Sequence, residues 1–209
     1  VARVLARVGG RPLARAEAQG LADALVPEGR GWRWNQAMLD LGTGTGRLLE
    51  LFAPLYQRGV GVDMSRDMLA VARANLDRAG LSRVQVRQGD IFMLPTQAGQ
   101  VDLVALHQVR HYLDDPSAAI REAARALAAG GRLLIADFAP HDLEFLRAEH
   151  SHARLGFSHA QLREWLEQAG LEVEAIADLA PQGAGKLTVT LCLARDPRML
   201  IASNTEARA

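Results

Sequence analysis

Three aspartates set the chemistry available to this sequence, each at the end of an expected strand: Asp40, Asp63 and Asp90. The first leads into Leu41-Gly42-Thr43-Gly44-Thr45-Gly46, with glycines at alternate positions, and then into a helical pattern from Arg47. Glycines at that spacing let the backbone turn sharply and let a ligand approach with no Cβ atom in the way. The helix that follows aims its unpaired N–H groups and positive end at the same spot. A strand, a glycine turn and a helix start, in that order, make a nucleotide-cofactor pocket at the carboxyl end of a first strand. Gly42, Thr43, Gly44 and Gly46 are its expected lining. Asp40 is expected to order the turn and reach a charged amino group of the ligand. Asp63, 23 residues on, is placed to accept from both ribose hydroxyls, with Met64 against an adenine face. Asp90 is placed to accept from an exocyclic amine, with the Ile91 N–H on a ring nitrogen.

The spacing also excludes. A dinucleotide fingerprint needs its third glycine one position later, where Arg47 stands. No G-x-x-x-x-G-K-[ST] run is present, so a P-loop is ruled out. Three carboxylates converging on one pocket suit a cationic ligand better than a pyrophosphate.

The elements that must position these groups alternate. Strands are expected at about 37–41, 59–63, 84–87, 101–107 and 132–138, with helices at 46–56, 65–79 and 115–128 between them. Ser65 reads as an N-cap and Gly80 as a terminator. A further helix starts at Ser158 and ends at Gly170. Two last strands, about 171–178 and 186–194, have only Leu179 to Gly185 between them, which calls for a hairpin. The architecture is α/β: a doubly wound, Rossmann-like, mostly parallel sheet whose last strand is antiparallel. An N-terminal helical segment over 1–36, one domain over 37–194 and a polar tail over 195–209 complete the expected organisation.

Composition points to an ordinary globular chain. Of its 209 residues 49% are hydrophobic and 23% charged, and 24 basic side chains balance 24 acidic ones. That balance gives no bulk attraction to nucleic acid or membrane. The one cysteine, Cys192, excludes an internal disulfide framework and a cysteine-based zinc site, and its strand-like surroundings predict a buried, inert thiol. No apolar run reaches the roughly 20 residues of a membrane span, and no signal peptide is visible. A cytoplasmic protein acting on a small molecule is expected, with no metal.

Taken as an ordered set, Asp40-Leu41-Gly42-Thr43-Gly44-Thr45-Gly46, Val62-Asp63-Met64-Ser65, Gln88-Gly89-Asp90-Ile91 and Leu127-Ala128-Ala129-Gly130-Gly131-Arg132-Leu133 resemble class I S-adenosylmethionine-dependent methyltransferases. The resemblance spans about 37–194. It implies S-adenosylmethionine as cofactor, S-adenosylhomocysteine as product, and a seven-stranded sheet with its last strand antiparallel. A narrower similarity rests on 106–116, Asp137-Phe138-Ala139-Pro140-His141 and 150–158. These resemble methyltransferase domains that follow an ArsR-type winged-helix repressor in bacterial proteins, and residues 1–36 are too short to hold that winged helix.

Histidines carry the remaining chemistry. His107 and His111, after the fourth strand, are placed near the transferred methyl as base or substrate contact, and His107 also borders the cofactor. His150 and His152 fall where this fold builds its substrate lid and are candidate acceptor contacts. His141 and His159 read as packing residues. The loop after strand four lacks the Asn/Asp-Pro-Pro-aromatic signature of base-amino methyltransferases, and no Pro-Cys pair offers a nucleophile for cytosine C5. A single cysteine is too few for arsenite methylation. A small-molecule acceptor is what remains. The alternative is a module that senses S-adenosylmethionine or S-adenosylhomocysteine without turnover. A degenerate structural module is disfavoured by the intact Asp40, Asp63 and Asp90.

Overall fold

The computed structural model describes residues 37–94, 96–107, 113–142, 154–179 and 187–198. The expected N-terminal helix, His111, His150, His152 and the tip of the last hairpin lie outside them. Seven strands form one sheet: β1 (Ala37–Leu41), β2 (Arg58–Asp63), β3 (Val84–Gln88), β4 (Val101–His107), β5 (Leu127–Phe138), β6 (Glu172–Leu179) and β7 (Val189–Arg195). Their order is β3-β2-β1-β4-β5-β7-β6. β7 pairs antiparallel with both β5 and β6, and the other pairings are parallel. The expected mostly parallel sheet with an antiparallel last strand is the observed one.

Among the described residues four helices pack on it: α1 (Arg47–Leu51), α2 (Arg66–Arg78), α3 (Pro116–Ala126) and α4 (His159–Gln168). Their starts follow the sequence. The Ser65 hydroxyl accepts the Met68 N–H, and the Asp115 carboxylate accepts from Ala118. Ser158 and Gln161 form a reciprocal capping box, satisfying donors that the helix leaves unpaired.

Two core clusters lie on opposite faces of the sheet. One gathers Leu39, Leu41, Val104, Leu106 and Ile135 under α3 and α4, with Phe157 and Leu162. The other gathers Met38, Leu103 and Ala105 under α1 and Tyr56. β1 and β4 feed both clusters by alternation, as strands covered on two faces do. Cys192 is buried in β7.

Two boundaries differ from expectation. The helix expected over 46–56 is α1 followed by a separate 3-10 turn, Ala53–Leu55. Pro54 has no N–H to continue the α ladder. β5 begins at Leu127 rather than Arg132, and Gly130 and Gly131 sit inside it, at a register shift opposite Val101–Leu103. Gly130 takes a positive φ of 75° there, the geometry of an extra residue accommodated in a strand.

Candidate functional site

β1 sits between β2 and β4, which is where strand order reverses, so a crevice opens beyond its carboxyl end. The glycine turn lies there. Gly42 and Thr43 donate their N–H groups to the Val62 carbonyl at 2.8 and 3.0 Å, fastening the turn to β2. Gly42, Gly44 and Gly46 all take positive φ. A Cβ on Gly44 would meet nothing within 4 Å, so the turn presents open space at its middle.

The acids divide the work. Asp40 is 1% exposed and accepts the Thr43 hydroxyl at 2.6 Å. Burial pushes its carboxyl up to about 7; the Thr43 bond opposes that shift and the nearby Asp63 charge adds to it. Asp63 is half-buried, and its two oxygens accept the Gly44 N–H and the Ser65 N–H, each at 2.8 Å. It therefore orders both the glycine turn and the start of α2. Sequence reasoning had given the ordering of the turn to Asp40 alone. Asp90 is exposed and accepts the Phe92 N–H at 2.9 Å, and Ile91 next to it is buried in the core. Met64 stands 71% exposed at the end of β2. No arginine or lysine among the described residues pairs with any of these three acids. An uncompensated carboxylate cluster around an open glycine turn fits a cationic adenosyl ligand.

His107 is the last residue of β4. Register pairs Leu41 with Leu106, so His107 stands level with the first glycine of the turn. His159, which the sequence suggested as packing, has a carboxylate partner: its Nε2 lies 2.8 Å from Asp178 Oδ1, which also accepts the Thr190 hydroxyl at 2.6 Å. The Thr190 hydroxyl first, and then His159, hold Asp178 below the ordinary carboxylate range. Nothing local in the sequence signals this pairing, because the partners sit on a helix and two strands. Among the described residues no group of three or more His, Cys, Asp or Glu side chains is arranged to hold a metal, and no helix is long and apolar enough to cross a membrane.

Known proteins share this fold. Residues 39–135 match the family described as a methyltransferase domain. The chain is 33% identical over 111 residues to an uncharacterized methyltransferase of Bacillus subtilis, covering 53% of this chain and 44% of that protein. It is 30% identical over 156 residues to a ubiquinone biosynthesis O-methyltransferase of Xanthomonas axonopodis, covering 68% and 65%. The crystal structure of an S-adenosylmethionine-dependent methyltransferase from Mesorhizobium loti superposes with a TM-score of 0.68 at 19% identity, over 85% of this chain and 97% of that one. The chain spans between about half and two thirds of the length of these curated relatives. The chain is thus similar to methyltransferase domains over residues 39–135 and shares the fold of the Mesorhizobium loti enzyme.

Proposed function

We propose that the protein transfers a methyl group from S-adenosylmethionine to a small-molecule acceptor. The observation that supports this best is the buried Asp40, left without a cation beside an open glycine turn that Asp63 holds in place. The bound cofactor supplies a methyl group already activated on a sulfonium. The chain then has to bind, orient and exclude water, and alignment alone can supply about 7–11 kcal/mol.

In this reading Asp40 faces the ligand's ammonium. Asp63 keeps its bond to Gly44 and offers its remaining lone pairs to the ribose hydroxyls. Gly42, Thr43, Gly44 and Gly46 let the ligand approach the backbone. Met64 covers the adenine, Asp90 accepts from its amine, and the Ile91 N–H meets a ring nitrogen. His107 and His111 contact the acceptor or take its proton, a role worth about 10²–10⁴-fold when the acceptor must lose one. His150 and His152 contact the acceptor from the segment after β5. A small-molecule acceptor accords with the balanced charge, and one relative bears the name ubiquinone biosynthesis O-methyltransferase.

Calorimetry with S-adenosylhomocysteine tests the cofactor half. Asp63→Ala should weaken binding by about 1.5–3 kcal/mol, the value of a hydrogen bond to a charged group. Unchanged affinity would remove Asp63 from the site. Labelled cofactor incubated with small-molecule, protein and nucleic-acid fractions of a lysate tests the acceptor half, with His107→Ala and His111→Ala as the variants expected to lower turnover. The rival reading is a site that binds both cofactor and product but consumes neither. Persistent binding without label transfer to any fraction would favour it.

A further inference from the structure

The connection from β3 to β4 must pass β2 and β1 to reach the far side of the sheet, and right-handed crossovers place it on the face opposite α2. It contains turns but no helix in its described residues, 89–94 and 96–100. The described residues leave the amino halves of β1, β2 and β3 uncovered, and a groove of about 470 Å³ opens over them. That volume lies in the range of small-molecule sites. The groove is at the opposite strand ends from the glycine turn, roughly 15 Å away by strand rise.

Its lining is rich in cationic groups and amides: Arg58, Arg83 and Arg87, with Gln85, Gln97 and Gln100. Register places Gly59 opposite Val84, so Arg58 neighbours Arg83. The Arg83 guanidinium donates to the Ala53 carbonyl at 2.6 Å and stacks on Tyr56, and Arg87 donates to the Gln85 side chain at 2.8 Å. Among the described residues none of the three arginines has a carboxylate partner. Arg66, Arg73 and Arg78 likewise bond only amides or carbonyls, and what sets the groove apart is a lining that holds three arginines and no carboxylate. Residues 1–36, which lead into Ala37 on the groove floor, contain six arginines (3, 7, 11, 15, 30 and 33) against three acids (17, 23 and 28). Their charge repeats that of the groove and does not complement it. Guanidiniums with no carboxylate beside them, set among side-chain amides, match the donor pattern that recognises phosphate oxygens.

We infer that this groove is a second binding site, for a small phosphorylated metabolite, separate from the cofactor crevice. Arg58 and Arg87 supply the charge, and the glutamine amides supply further donors.

Titration of the full chain with inorganic pyrophosphate and with ribose 5-phosphate tests this, in saturating S-adenosylhomocysteine so that the crevice is not the site read. Both anions should bind, and the Arg58→Ala/Arg87→Ala double variant should lose at least ten-fold in affinity. Gln85→Glu, which sets a carboxylate beside Arg87, should lose affinity similarly and serves if the double variant fails to fold. Absence of binding by the parent chain would overturn the inference, as would equal binding by the variants. Binding of a polyglutamate peptide in place of both phosphates would overturn it too. S-adenosylhomocysteine titrated alone reports on the crevice independently, so a failure there leaves the groove result intact.

Discussion

Asp40 is the residue whose chemistry the fold alters most. An aspartate in an unfolded chain titrates near 3.9, whereas burial lifts this one to about 7. Between about pH 4 and 7 the folded protein therefore keeps a proton that the unfolded chain has released. Stability must fall as pH rises through that window and level off above it, by about 4 kcal/mol in all. Thermal melts from pH 4 to 8 should show this slope, and Asp40→Asn should flatten it. The same proton links to binding. A ligand ammonium beside Asp40 favours the carboxylate, so S-adenosylhomocysteine should bind more tightly toward pH 7 and release a proton, seen as a buffer-dependent heat. Asp178 works in the opposite sense: its lowered pKa contributes stability above about pH 4 that is lost on acidification.

At the scale of elements the glycine turn separates stability from binding. Gly44 has a φ of 52° and open space where a Cβ would stand, while a Cβ on Gly61 would come within 2.7 Å of Thr43 Oγ1 and 2.9 Å of Leu49 Cδ1. Gly44→Ala should cost only the left-handed backbone strain, about 1–2 kcal/mol, yet lower cofactor affinity at least ten-fold by filling the approach. Gly61→Ala should destabilise more, because Thr43 must move and its bond to Asp40 breaks. Melting and calorimetry on the two variants check both outcomes. The caps at Ser65, Asp115 and Ser158 were readable as local signals, since a cap and its donors are within three residues. The break at Phe52 was missed because apolar periodicity continues through it, and the start of β5 because its glycines look like a turn when the opposite strand is unseen.

The whole molecule is held by two cores on one sheet, and Phe157 shows how the last helix joins them. It is buried, meets Trp165 edge to face at 5.6 Å between centroids, and its N–H bonds to the Phe138 carbonyl. Phe157→Ala should destabilise by about 3–5 kcal/mol, measurable by denaturant unfolding, and should loosen α4 from the sheet. Sequence by itself determined the order of elements, the parallel sheet with its antiparallel hairpin, and three acids at strand ends around a glycine turn. Those features follow from residue alternation, helical period and turn chemistry, each complete within a few neighbouring residues. Tertiary structure alone decided that Asp63 fastens Gly44, that Asp40 holds a proton near neutrality, that Asp178 meets His159, and that three arginines and no carboxylate line one groove over the sheet. Desolvation and hydrogen-bond partnership act between residues brought together from distant parts of the chain, and no local pattern encodes which ones meet.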